Sequence, residues 1–548
     1  GQAYLRYILT RKTNYDGLPQ YCMNGNVNSS IDALTGEVCD RHRKVRVSEY
    51  ESNQLDYNSW VGQAVYGHPA FSDVMLATSN NIFFKFLGLV EDIPAYHLYN
   101  LLTTFILALT VSIWTKQLFG FFPSVIAVLA LYTFPLLFGE SHFNVKDPPM
   151  AAFFTLSIYF LYQAVITKKA RFMIFSALAA GASFGTKFNF LFAPFILLPW
   201  LIAYWKIHGE KVFKKILTKR MIISIILFPI IVFWVFYLTW PALWNNPVKN
   251  TLSVFRYYQD IGTPRCGFSY FSLQRWTQCT NLITVKNLIF TLPPYTLLLV
   301  IIGLIISLRR VKQKDYLVLI LSFFLFTILR VTIPISSIYG GLRQIMEFVG
   351  PMTMIAAIGA LTLREWIKKI LPQRRYTNIL ISTLLVLGFL SIIINLVKLH
   401  PNENVYYNFL IGGLHGAVEK NFPDYGNTYG NAYAQGINWL NQNATKNSRL
   451  ALINGLGQNL SRGQLRSDID YSNGYRSGFN QEGEYTILLI EGNDPNTETF
   501  RYKYLSFLNP VYVLEVDDIP LLKIWKNDKE HLKKGLNFDS QILKNLNI

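Results

Sequence analysis

MIISIILFPIIVFWVFYL, residues 221–238, runs for eighteen positions without a charged side chain. A helix on the surface of a soluble core carries a polar stripe at a period of about 3.6 residues, and this stretch has none. ILISTLLVLGFLSIIINL, residues 379–396, reads the same way. Both approach the roughly 20 apolar residues that a helix needs to cross a bilayer. Similar runs lie near 97–115, 121–138, 149–167, 172–186, 188–205, 287–307, 316–329 and 344–363. Together the ten runs predict an α-helical polytopic membrane protein with about ten transmembrane helices. Composition agrees: of 548 residues, 51% are hydrophobic and 15% charged, against about 25% charged in ordinary soluble domains.

The net charge of +18 follows the helix count. Lys168, Lys169 and Arg171 share one connection, and Lys206, Lys211, Lys214, Lys215, Lys219 and Arg220 another. Arg309, Arg310, Lys312 and Lys314 fill a third, and Arg364, Lys368, Lys369, Arg374 and Arg375 a fourth. All four fall on the same side, which the positive-inside rule makes cytoplasmic. The basic excess is therefore a topology signal. No folded domain offers the basic face that a nucleic-acid partner would need. Residues 1–96, 139–148, 240–286, 330–343 and those after about 398 are then expected to face outward.

All four cysteines lie in these outward segments: Cys22 and Cys39 in the first, Cys266 and Cys279 in the long loop. That placement suits disulfides in an oxidising compartment. Local pairing, Cys22 with Cys39 and Cys266 with Cys279, would contribute about 3 kcal/mol each; free buried thiols are the alternative. Because the polar segment 1–60 is outward and no signal peptide opens the chain, a first transmembrane helix is expected ahead of Gly1.

Three regions follow. Residues 1–96 form an outer loop region whose second half, GHPAFSDVMLATSNNIFFKFLGL, reads as an amphipathic helix on the membrane surface, while its first half reads as irregular. Residues 97–397 form the transmembrane core. Residues 398–548 form a small extracytoplasmic α/β domain: AYAQGINWLNQNA reads as helix, and RLALING, YTILLIEG, PVYVLEV and IPLLKIW as strands.

No Walker loop, strand-linked GxGxxG, HExxH, GxSxG or paired CxxC is present, which removes the main ATPase, zinc-peptidase and redox classes. The chemistry-bearing residues gather instead at the outer ends of the apolar runs. FGESHFNVKDPPMAAFFTLSIYFLYQAV, residues 138–165, places Glu140, His142, Lys146 and Asp147 directly before a membrane helix. Asp147 stands where a helix N-cap belongs, with Pro148 in the first turn, so a purely structural cap is one reading. The other is a site for an anion such as phosphate, which free N–H groups and the positive dipole end favour. Lys187 and Arg330 stand at other outer ends. Arg343 and Glu347, four apart, would share a helical face and either pair with each other or serve a site, since ionisable groups at membrane depth are costly. His68 precedes Pro69 in YGHPAF and suits a turn as well as a ligand contact. Cations and carboxylates at the rim of an apolar wall suit a lipid-linked phosphate.

YGHPAF, FFKFLGLVEDIPAYHLYNLL, LFGESHFNVKDPPMAAFFTLSIY, TWPALWNNP and GGLRQIMEFVGPMTMIAAIGAL, in that order, resemble bacterial members of glycosyltransferase family 39, the protein O-mannosyltransferase-like branch of the GT-C fold. HPNENVYYNFLIGG and DYGNTYGNAYAQGINWLN resemble the carboxy-terminal region of some members. The resemblance covers most of residues 62–440. It implies transfer of a hexose, of mannose type, from a polyprenyl-phosphate donor to a hydroxyl on the outer face of a bacterial plasma membrane. The acceptor would be a protein, a lipid or a glycan. The catalytic carboxylate of such proteins belongs to an Asp-Glu pair in the first outer loop. No such pair occurs before residue 90, and Glu91-Asp92 lies too far along; it is expected upstream of Gly1, with Glu51 and Asp56 as the fallback. Asp147 corresponds to the second acidic motif, and Lys187 and Arg343 fit phosphate-binding roles. The resemblance thus selects Asp147 and Asp56 as catalytic, with His68, His142, Lys146, Lys187, Arg343 and Glu347 as substrate-binding. Some transferases of this class use a divalent metal; nothing in the sequence fixes a metal site or a cofactor. A lipid-linked sugar flippase or a non-catalytic membrane assembly protein are the rival functions, although the inverted repeats of transporters are not evident.

Overall fold

The structure, a computed structural model, describes residues 1–11, 48, 69–262, 282–332, 341–371, 373–422, 425–426, 430–454, 460–461, 464–471, 484–490 and 509–527. These fall into two compact units that divide between Glu403 and Asn404. Asp56, His68 and all four cysteines lie outside the described residues.

Every apolar run forms helix. A short helix, α1 (Gln2–Thr10), precedes α2 (Phe71–Asn80) and a π-helical turn at Asn81–Phe86. The first stretch, read as irregular, is thus helical at its start. Gln2 anchors it: the side-chain amide donates to Asn80 Oδ1 at 3.0 Å and to the Tyr96 hydroxyl at 2.6 Å. The core continues with α3 (Asp92–Phe119), α4 (Phe121–Tyr132), α5 (Pro135–Phe143), α6 (Asp147–Thr167), α7 (Ala170–Phe184) and α8 (Ala193–His208). A 3-10 turn, Phe188–Phe192, leads into α8, and a single turn at Glu210–Lys214 precedes α9 (Lys219–Leu238). Then come α10 (Pro247–Gly262), α11 (Ile283–Thr291), α12 (Pro294–Arg310) and α13 (Asp315–Thr332). A 3-10 segment, Gly341–Phe348, runs straight into α14 (Val349–Ile370), and α15 (Arg374–Leu399) closes the unit.

Seven of these spans, among the described residues, are long and apolar enough to cross a membrane; α4 and α5 make an eighth if counted as one span bent by 63°. The sequence reading expected about ten, and the remaining apolar runs fall among shorter helices. α7 has fifteen residues and α12 seventeen, at or just below the short end of the range for a full crossing. The protein is an integral membrane protein whose apolar surface faces outward on α9 and α15, where only 17% and 22% of the span is buried, while the span 341–370 is 89% buried at the centre.

Without a hydrophobic drive between helices in lipid, small residues and interhelical hydrogen bonds set the packing. Ser157 on α6 and Ser176 on α7 exchange hydroxyl-to-carbonyl bonds at 3.0 and 2.8 Å. Gly303 on α12 and Gly359 on α14 let two backbones touch: a Cβ on Gly359 would lie 1.9 Å from the Leu299 carbonyl oxygen. Trp114, Phe134, Phe154, Trp200, Phe323 and Phe348 fill the buried centre.

The second unit carries α16 (Gly413–Glu419), α17 (Asn431–Asn443) and the four expected strands, β1 (Arg449–Asn454), β2 (Glu484–Leu489), β3 (Tyr512–Val516) and β4 (Ile519–Asn527). Their order is β1-β2-β4-β3, with β1 parallel to β2 and the other two pairings antiparallel. Tyr433, Ile437 and Leu440 recur at helical spacing on α17 and pack with Leu452, Ile487, Leu522 and Ile524. It is a small α/β domain.

Candidate active site

The polar run before α6 folds around one side chain. Asn144 Oδ1 accepts from the backbone N–H groups of Lys146 and Asp147, each at 3.0 Å, a local turn that asparagine favours. Pro148 and Pro149 then occupy the first turn of α6, where a missing N–H costs nothing. The Asn144 amide donates in two directions, to Glu140 Oε2 at 2.5 Å and to Asp147 Oδ2 at 2.9 Å. One amide therefore holds two carboxylates, and both are buried.

Two cations converge on Asp147. Lys187 Nζ, from the loop after α7, donates to Oδ1 at 2.7 Å, and Arg343 Nη1, from the 3-10 segment, donates to Oδ2 at 3.2 Å. Lys187 also donates to Gln344 Oε1 at 2.7 Å and to its carbonyl at 3.2 Å. Burial pulls the Lys187 ammonium below the usual lysine range, and the Asp147 charge opposes that shift. Three loops that are far apart in sequence thus meet at the helix ends opposite the basic connections. Two cations to one carboxylate, beside the N-terminus of α6, make a centre suited to an anion.

Beside it lies a second network. Arg330 Nη2, at the end of α13, donates to Glu347 Oε1 at 2.5 Å, and the Arg330 guanidinium stacks over Phe192 at 4.4 Å. Asn189 Nδ2 donates to both Glu347 oxygens, at 3.2 and 3.0 Å, and to the Gln344 carbonyl at 2.9 Å. Of the two readings open for Arg343 and Glu347, mutual pairing is not the one the structure adopts. Residues four apart share a face only in an α-helix; in a 3-10 helix the facing spacing is three, and Ile345 is itself non-helical. Arg343 turns to Asp147 and Glu347 to Arg330. Removing one partner of a buried ion pair costs about 3–5 kcal/mol. Arg330→Met is accordingly expected to lower the thermal unfolding midpoint of the detergent-purified protein clearly, since Glu347 is 1% exposed; an unchanged midpoint would show that the pair carries no stability.

The remaining sequence candidates spread out. Lys146 Nζ turns to Asp73 Oδ2 at 2.5 Å and the Pro69 carbonyl at 2.7 Å, which ties α2 to the site. The Nδ1 of His142 is 2.8 Å from the Phe138 carbonyl, and its ring lies 6.3 Å from that of His400. Among the described residues, no group of three or more His, Cys, Asp or Glu is placed to hold a metal. Sequence reading passed over Asn144, Asn189, Gln344 and Asp73. Only Asn144 left a trace, as an asparagine three residues before a helix-starting aspartate.

Residues 68–236 match the model of the dolichyl-phosphate-mannose-protein mannosyltransferase family. That span contains Glu140, Asn144, Asp147 and Lys187. Over that span the chain is similar to this family, in line with the resemblance drawn from the sequence. Among solved structures, ArnT from Cupriavidus metallidurans in the apo state is 13% identical with a TM-score of 0.43, over 90% of this chain and 95% of that one. ArnT bound to undecaprenyl phosphate gives a TM-score of 0.46 at the same identity and coverage. The Archaeoglobus fulgidus oligosaccharyltransferase tethered with an acceptor peptide is 13% identical with a TM-score of 0.41, over 69% of this chain and 49% of that one. Comparison with curated proteins gave no match.

Proposed function

We propose that this protein moves a hexose of mannose type from a polyprenyl-phosphate donor to an acceptor hydroxyl, at the outer face of a bacterial plasma membrane. The observation that carries the reading is the convergence of Lys187 and Arg343 on buried Asp147 within 2.7 and 3.2 Å. The description of the matched family, a transferase using dolichyl-phosphate-mannose, supports the donor class. The four basic connections at the far ends of the helices support the outward orientation.

In the proposed reaction the lipid tail lies along the apolar helices and the phosphate meets Lys187 and Arg343. The acceptor oxygen attacks the anomeric carbon from the face opposite the phosphate. The carbon–oxygen bond to the phosphate breaks, a carboxylate takes the hydroxyl proton, and configuration inverts. The two cations stabilise the charge that grows on the departing phosphate, as fixed cations do in other phosphate-leaving reactions. Asp147 keeps both cations in place, and Asp56 remains a sequence-based candidate for the proton acceptor. Lys146, His142 and Glu347 are proposed substrate-side or supporting groups, and His68 remains a sequence-based candidate.

The test uses the complete protein in detergent with radiolabelled polyprenyl-phosphate mannose and, separately, its glucose equivalent. Membranes of the source cells serve as the acceptor pool. Wild type is expected to transfer sugar, and Arg343→Ala to lose at least about 10²-fold, the scale of one lost charge-stabilising donor. A wild type that turns over neither donor would overturn the proposal.

A further inference from the structure

We propose that the turn at 408–413 sets its two apolar side chains, Phe409 and Leu410, into the membrane leaflet at which α15 ends. Phe409 is 73% exposed and Leu410 48%, and among the described residues of the second unit no other large apolar side chain is exposed. The exposure is built into the backbone. Asn408 Oδ1 accepts from the Leu410 N–H at 2.9 Å, the Gly412 N–H donates to the Phe409 carbonyl at 3.1 Å, and the Gly413 N–H donates to the Asn408 carbonyl at 3.0 Å. Gly412 and Gly413 take φ of +99° and +68°, the left-handed region that glycine enters freely. Ile411 and Leu414 beside the tip are each 2% exposed, and Lys420 Nζ donates to the Ile411 carbonyl at 2.8 Å. The turn is thus anchored by two buried side chains while it presents two others outward.

Chain length and chemistry both favour lipid as the occupant. α15 is an apolar span only 22% buried, and Val397, two residues before its end, is 72% exposed. Phe409 follows Leu399 by ten residues, at most about 35 Å of extended chain, and the 3-10 turn Glu403–Val405 takes up part of that reach. The Lys420 ammonium sits at the base of the turn. Interfacial segments combine these parts: apolar side chains enter the acyl boundary, and cations stay among anionic head groups. A protein partner fits less well, since a standard interface covers about 800 Å² on each side and two side chains fall well short of that.

Photo-crosslinking separates the possible occupants. The photoreactive residue p-benzoylphenylalanine is placed at Phe409 of the complete protein, which is reconstituted into vesicles of phosphatidylethanolamine and phosphatidylglycerol, irradiated and read by mass spectrometry. The same residue at Gln442, an exposed position on α17, is the contrast. Lipid adducts are expected at 409 and only background at 442. Adding Leu410→Asp to the protein labelled at 409 is expected to abolish the adducts, because a charge is costly to carry into the acyl region. A crosslink from 409 to a second copy overturns the proposal, as does one to another protein when native membranes are irradiated. Absence of any adduct at 409 also overturns it, and so does equal lipid labelling at 409 and 442, since the turn would then have no insertion of its own. Crosslinking does not depend on sugar transfer, so the outcome stands whether or not the transferase reading does.

Discussion

Asp147→Asn is expected to reduce sugar transfer by at least about 10²-fold and to destabilise the protein as well. The carboxylate is 2% exposed at its side chain and is bonded by Lys187 and Arg343, which are themselves 10% and 18% exposed. An amide of the same shape keeps one acceptor oxygen and cancels the charge. Two buried cations then face each other without compensation, a loss of about 3–5 kcal/mol where a buried pair is broken from one side. Stability and activity are separated by the double variant Asp147→Asn/Lys187→Met, which removes one surplus cation. Residues in direct contact are expected to be non-additive, so the double variant should regain part of the thermal midpoint lost in Asp147→Asn. Its transfer activity should stay low, because the phosphate has lost one of its two cations. Activity close to wild type in Asp147→Asn would remove Asp147 from the site and leave it a structural partner of the two cations.

Gly359→Val is expected to be the most damaging change away from the site. The new Cβ would stand 1.9 Å from the Leu299 carbonyl oxygen and 3.0 Å from the Gly303 nitrogen, both backbone atoms. Backbone in a helix cannot move aside as a flexible side chain can, so α12 and α14 must separate. Overpacking of this kind costs about 3 kcal/mol or more. α14 is continuous with the segment bearing Arg343 and Glu347, so the damage should reach the site. Purified yield and thermal midpoint are the direct readouts, with donor turnover of any surviving protein as the third. Gly359→Ala carries the same first clash and should fall on the same side, whereas Gly209→Ala, at a loop position with nothing within 4 Å of the added carbon, should be tolerated apart from the strain of its φ of +81°. A stable, active Gly359→Val would refute the close helix contact.

The membrane helices were legible in the sequence because a run without charge, such as 221–238, has few other places to go. The four strands of the second unit were legible for the opposite reason: short β-rich runs between Gly, Asn and Pro have one obvious conformation. The edge at Asp147 stood out as polar residues abutting apolar ones. What was not legible was who pairs with whom. Lys187 and Asp147 are 40 residues apart and Arg343 and Asp147 196 apart, and no local pattern encodes such contacts. The shared face of Arg343 and Glu347 did not form because a spacing of four means one face only if the segment is α-helical.

The winding of Gly341–Phe348 has a mechanical side. The eight residues are two short 3-10 turns joined at Ile345, whose φ of −125° and ψ of 30° are non-helical. Arg343 lies before that joint, and Glu347 lies after it, next to the start of α14 at Val349. A change of backbone conformation at Ile345 would therefore swing Arg343 relative to Glu347 and to the rod of α14. Reach toward Asp147 and alignment with Arg330 are set on opposite sides of one joint.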